Sequence, residues 1–180
     1  YYYKYWKVSN HMSTLSVDTI QGQTAATKVK MPAGSILQTL SSTKLDQQRD
    51  NSGSFVDITG LSIAITPFFS TSKILITVHV YASYNDAAVL RLMRDSTRIP
   101  NNTAGTAANK RGFAMVRFAE NNEGGMFSFT HLDNPATTSA TTYKVQVIRE
   151  GGSGYVDINS RKSNQDYSLC SSITVQEISQ

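Results

Sequence analysis

In Lys73–Ser83, KILITVHVYAS, the residues Ile74, Ile76, Val78, Val80 and Ala82 alternate with Leu75, Thr77, His79, Tyr81 and Ser83. Successive side chains of a strand point to opposite faces, so a period of two places one aliphatic row in a core. The other row sets Leu75 and Tyr81 beside Thr77 and His79. That row is too apolar for open solvent and too polar for the middle of a sandwich. An outer sheet face covered by another subunit suits it.

Similar alternation recurs along the chain. Tyr143, Val145 and Val147 oppose Lys144, Gln146 and Ile148, and Phe127, Phe129 and His131 oppose Met126, Ser128 and Thr130. Phe113, Met115 and Arg117 oppose the wholly apolar Ala114, Val116 and Phe118. The pattern predicts strands over 35–41, 54–66, 73–83, 87–95, 112–120, 125–132, 141–149, 154–159 and 169–178. Gly-, Asn-, Asp- and Pro-rich breakers separate them, as in an all-β sandwich or barrel. Residues 43–49 allow at most one helical turn, with Leu45 as its whole apolar face. The glycine-rich stretches Asn121–Gly125 and Gly151–Gly154 read as hairpin turns.

Composition divides the chain in three. Residues 1–11 open with YYYKYWK, which holds Tyr1, Tyr2, Tyr3 and Tyr5 and the sole tryptophan, Trp6. They read as a tag, upstream translation or uncertain assignment, with Met12 as a natural start. Residues 12–34 are rich in Ser, Thr and Gln, and their apolar residues are too sparse to fold alone. Pairing with other chains, or lying along a partner, would order such a segment. Residues 35–180 carry the predicted strands, a length that buries a real core without staples.

The net charge is +4, and Lys4 and Lys7 supply two of those charges, leaving 4 − 2 = +2 from His11 onward. Arg91, Arg94, Arg98, Lys110, Arg111 and Arg117 concentrate positive charge, opposed by Asp95. Without regularly interleaved aromatics this reads as solvated or ion-paired charge, and no nucleic-acid partner is expected. No apolar run approaches the ~20 residues of a membrane helix, and no signal-peptide progression appears. No membrane insertion is expected. Cys170 is the single cysteine, expected as a buried structural thiol and consistent with folding in a reducing cytoplasm.

Catalytic constellations are missing from the sequence. His11, His79 and His131 are far apart with no metal-ligand spacing, so no metal and no cofactor are expected. His79 reads as a half-buried or interface histidine, and His131 as half of a polar surface pair with Asp133. Gly151-Gly152-Ser153-Gly154-Tyr155 ends on tyrosine, so it is neither a nucleophile elbow nor a phosphate loop. Asp57 and Asp157 have apolar neighbours, but alternation can point both to the wet face. Asn101-Asn102-Thr103 matches a glycosylation pattern, discounted without a secretory signal. The chain is not expected to be an enzyme.

Three stretches carry a family resemblance. Ser13-Thr14-Leu15-Ser16-Val17-Asp18-Thr19-Ile20-Gln21 resembles the opening of short structural proteins of marine tailed phages. Leu61-Ser62-Ile63-Ala64-Ile65-Thr66-Pro67, followed by Ser72-Lys73-Ile74-Leu75-Ile76, resembles a strand pair of the same proteins. The run from Leu132 through Asn134-Pro135 and Thr141-Thr142-Tyr143 to Gln146 resembles their later inter-strand stretch. The likeness implies a tail-fibre-like virion protein, assembled in the host cytoplasm. It further implies an N-terminal attachment segment, a head similar to the C1q/tumour-necrosis-factor jelly roll, and homotrimeric assembly.

On that reading the partners are further copies of the chain, other virion proteins through residues 13–34, and a host-surface glycan or protein. The subunit-interface candidates are Leu75, Thr77, His79, Tyr81, Phe127 and Phe129, although the two phenylalanines equally suit the sandwich interior. Host-contact candidates are the polar loop residues Tyr84, Asn85, Asp86, Arg98, Asn101, Asn102, Lys110, Arg111, Asn121, Asn122, Glu123, Arg161 and Asn164. Each also fits an ordinary surface residue. A capsid-decorating or fibre-anchoring protein without a ligand is the first alternative, and a cellular carbohydrate-binding module the second.

Overall fold

The computed structural model describes residues 19–20, 22, 29, 31–83, 87–103, 111–117, 124–150, 154–161 and 167–180, the side chains of 116 and 117 excepted. By compactness the chain divides into Tyr1–Lys30 and Met31–Gln180. The second unit carries β1 (Ile36–Lys44), β2 (Gln48–Asp50), β3 (Val56–Ile65), β4 (Lys73–Ser83), β5 (Ala87–Arg94) and β6 (Thr97–Ile99). They are followed by β7 (Ala114–Arg117), β8 (Gly124–Asp133), β9 (Thr141–Glu150), β10 (Val156–Ile158) and β11 (Ser171–Ile178). No helix occurs among the described residues. The architecture is a sandwich of two antiparallel sheets.

In the first sheet β4 is central. β8 pairs with it from Ile74↔Asp133 to Ser83↔Gly124 and takes one whole edge. The other edge is shared end to end by β11, opposite Lys73 to His79, and β10, opposite Ala82 and Ser83. β1 lies outside β11, and β2 lies outside β10. In the second sheet β9 runs between β3 and β5. The far edge of β5 is shared by β7 and β6.

Each predicted strand exists, with ends shifted by a few residues. Two strands escaped the sequence pattern: β2 and β6 have three residues each, too short to show a period. The expected hairpins across 121–125 and 151–154 are corrected. β7 and β8 lie in different sheets, as do β9 and β10, so both connections cross the sandwich. Alternation reports which face a residue takes, not which strand is its partner. The described hairpin is β5–β6, turned at Asp95 with φ of 52°. Asp95 also accepts the Thr142 N–H on its side chain at 2.9 Å.

The core follows the period-two rows. Ile74, Ile76, Val78, Val80 and Ala82 are fully buried, facing Leu61, Leu90, Leu92, Val145 and Val147 from the other layer. Each of the Ile, Leu and Val side chains contributes roughly 1.5–3 kcal/mol on burial. Phe127 and Phe129 belong to this core, and Phe129 stacks on Phe113 with ring centroids 4.4 Å apart. That removes both from the outer face, where the sequence reading had allowed them.

The buried carboxylates are paired, as burial requires. Tyr143 on β9 donates to Asp133 on β8 at 2.7 Å, and Arg94 on β5 donates to the same carboxylate at 2.9 and 3.0 Å. This pairing joins the two sheets. It also corrects the expected His131–Asp133 surface pair: Asp133 is buried, and His131 sits edge-on to Phe113. Glu177, fully buried, accepts the Phe68 N–H and the Gln38 amide, pinning the loop that enters β4. Cys170 is exposed rather than buried, because it precedes β11 and so falls outside the buried register.

Candidate functional site

The outer faces of the two layers differ in chemistry. On the first sheet, registers align outward-facing residues in rows across four strands. One row reads Thr43, Ser172, His79 and Ser128, and the next Ser41, Thr174, Thr77 and Thr130. A third reads Thr39, Gln176, Leu75 and Leu132. None of these positions carries a formal carboxylate, ammonium or guanidinium.

Several of these side chains bond across strands, Gln176 donating to the Thr39 hydroxyl at 3.3 Å. Ser41 and Thr174 share a hydrogen bond at 2.9 Å, and His79 Nδ1 meets Ser128 Oγ at 2.8 Å. At one end of the face Ile36 (56 % exposed) and Leu132 (49 %) lie near Lys73; at the other stands Met126 (55 %), paired with Tyr81. Tyr81 is half-buried and leans along β8: a Cβ on Gly124 would collide with its hydroxyl. Leu75, Thr77, His79 and Tyr81 therefore share one surface, as their alternation predicts.

The outer face of the second sheet is charged. Lys144 donates to Asp57 at 2.8 Å, Gln146 donates to Asp57 at 2.5 Å, and Arg91 donates to Gln146 at 2.6 Å. Burial pushes the Asp57 carboxyl up, but Lys144, Gln146 and Arg91 outweigh it and hold it below its usual value. Arg91 also lies 3.9 Å over the Phe55 ring. Its burial, and then the neighbouring Arg98, lower its affinity for the proton. Such a face is self-sufficient in water.

Arg98, Asn101 and Asn102, three of the predicted host-contact residues, come together beyond β6. Arg98 donates to the Asn101 side chain at 2.9 Å and to the Asn102 carbonyl at 2.7 Å. Asn102 reaches the Gly112 carbonyl at 3.4 Å, beside Arg111. Arg161 is exposed and faces the Tyr167 ring at 6.0 Å, apart from that cluster in sequence. Tyr84, Asn85, Asp86, Lys110, Asn121, Asn122, Glu123 and Asn164 lie outside the described residues.

A further feature was not singled out from the sequence. The ends of β2, β4, β5, β9 and the start of β10 converge, as the pairs Asp50↔Val156, Ser83↔Asp157 and Ala87↔Glu150 require. At this end an open cleft of about 450 Å³ is lined by Asn51, Arg149, Gly154 and Tyr155. Arg149 Nε donates to the Asn51 carbonyl at 2.8 Å. Arg49 lies 4.9 Å from the Tyr155 ring centroid and is held by Asp157 at 2.6 and 3.2 Å. Asp157 is fully buried, against the expectation of a wet-face carboxylate. Alternation does turn Asp157 away from the core residues Val156 and Ile158, but Arg49 covers the group.

Among the described residues no group of His, Cys, Asp and Glu is arranged to hold a metal ion. No described helix is long and apolar enough to cross a membrane. Compared with protein-family models and with curated proteins, the chain matches none.

Proposed function

We propose that the chain is a virion fibre protein of a tailed phage: a self-associating β-sandwich head whose loop end meets the host surface. The observation that carries this reading is the centre of the first sheet's outer face, three rows from Thr39 to Ser128 without a formal charge, with Lys73 at one end and the Arg49–Asp157 pair at the other. Protein surfaces exposed to water normally carry interspersed charge, as the second sheet does, and depletion of charge marks surfaces buried between subunits. Polar side chains that already bond one another, as Ser41 does with Thr174 and His79 with Ser128, cost little to bury. Ile36, Leu132 and Met126 add apolar area at both ends of the face.

Strand order supports the jelly-roll form implied by the family resemblance. Counting β1/β2, β6/β7 and β10/β11 as one strand each gives 11 − 3 = 8 strands. They run 1-8-3-6 in one layer and 2-7-4-5 in the other, the order in which a jelly roll lays its strands. Three copies on a symmetric axis bury the first sheet's face and present three loop ends in one direction, which multiplies weak attachment. Residues 13–34 join the head to other virion proteins in this reading.

The test is assembly. The purified chain is a trimer at micromolar concentration by light scattering, and Thr77→Lys converts it to a folded monomer. Thr77 lies in the middle of the face, between Thr174 and Thr130, so a lysine there brings an unpaired charge into the contact. A Thr77→Lys variant that keeps the wild-type mass removes this face from the interface. Competition by the purified trimer with phage adsorption to host cells tests the attachment half.

A further inference from the structure

We infer that His79 makes the assembly pH-sensitive: copies joined at neutral pH separate in mild acid, when the imidazole takes a proton. The inference rests on the assembly reading above and names how that contact is regulated.

His79 stands in the middle of the face that this reading buries. The ladders set it between Ser172 of β11 and Ser128 of β8, with Thr43 of β1 beyond Ser172. Thr77 and Tyr81 flank it on the same side of β4. In the single chain the imidazole is exposed to water. A second copy packed on the face takes that water away.

The bond to Ser128 does not choose between the two charge states. Nδ1 meets Ser128 Oγ at 2.8 Å, and a hydroxyl donates to a bare ring nitrogen or accepts from a protonated one. The surroundings do choose. Among the described residues, His79 is faced by Ser128 and Thr130 of β8, Ser172 and Thr174 of β11 and Thr43 of β1, none of which ionises. On its own side of β4 the titratable groups are Tyr81 and, at the far end, Lys73. His131, Asp133 and Glu177 stand on the inward rows, opposite Ile76 and Ile74. Asp157 lies beyond Tyr81, opposite Ser83, and is bonded to Arg49. A cation enclosed here meets no carboxylate, so separated copies bind the proton and the assembly rejects it.

The direction follows from that difference in bound protons. The ordinary charge change of histidine falls between pH 5 and 8. Assembly is therefore strongest above that range and weakens as pH falls through it. Each rejected proton costs about tenfold per pH unit, so three copies lose up to about a thousandfold per unit in the trimerisation constant.

The experiment measures the mass of the full chain by light scattering at low micromolar concentration from pH 8 to pH 5.5. Wild type and His131→Gln pass from trimer to folded monomer, with a fall of at least about a hundredfold in the trimerisation constant. His79→Gln stays a trimer throughout, and circular dichroism shows every sample folded. In the wild type the His79 ring signal, followed by NMR, gains its proton in step with the loss of mass, a readout that needs no variant. A wild type still trimeric at pH 5.5 with its ring protonated overturns the inference and leaves the assembly reading standing. So does a His79→Gln trimer that dissociates in acid as the wild type does. A trimerisation constant that rises as pH falls also overturns it, since it reports a carboxylate within reach of the ring. A wild type that is monomeric at pH 8 refutes the assembly reading itself.

Discussion

Tyr143 has no exposed surface, and its hydroxyl ends on the buried carboxylate of Asp133, which Arg94 also grips. Burial first, and then the Asp133 charge, raise the proton affinity of the phenol, so it stays a donor at any physiological pH. Tyr143→Phe should cost about 1.5–3 kcal/mol in urea unfolding, the value of a hydrogen bond to a charged group. Asp57 gives the opposite case. Its folded pKa lies below its unfolded value near ~3.9, so its stabilisation is present above that value and fades as pH falls through the folded one. With a side chain 51 % exposed, the effect is worth less than about 1 kcal/mol. Lys144→Met should abolish that small acid-limb loss, measured as the change in midpoint between pH 5 and pH 3. Alternation alone sets Tyr143 and Lys144 on opposite faces of the strand. It could not show that Asp133, Asp157 and Glu177 would be buried, because their partners come from strands distant in sequence.

At the scale of the element, β4 was legible end to end because one of its rows is purely aliphatic and both its neighbours are long. β2 and β6 were not, since three residues carry no readable period. Sheet membership is hidden for the same reason that the inter-sheet crossings look like hairpins in sequence: glycines mark a change of direction without naming the strand that follows. The β4–β8 ladder carries a close approach at Gly124, where a methyl group would meet Tyr81 and the Ser83 side chain within 3 Å. Gly124→Ala should therefore displace the Tyr81 ring and destabilise the head by about 1–3 kcal/mol, the range for forced overpacking. Unchanged Tyr81 fluorescence and an unchanged melting temperature would show that the ring has room to give.

At the scale of the molecule, two sheets with the same inward chemistry present unlike faces to the outside. One is tied together by Asp57, Lys144, Gln146 and Arg91; the other has a centre rich in serine and threonine, with apolar residues, Lys73 and the Arg49–Asp157 pair at its ends. The mixed character of that second surface was visible in a single strand, Leu75 to Tyr81, before any register was known. Its extent was not, because Thr39, Thr174 and Thr130 come from strands whose order depends on the whole fold. The cleft at the loop end was likewise invisible, being assembled from the ends of β2, β9 and β10. The measurement that bears most directly on this account is the mass of the wild-type chain in dilute solution, by light scattering at low micromolar concentration. A value three times the 19.8 kDa chain agrees with it, and a folded species of chain mass contradicts it.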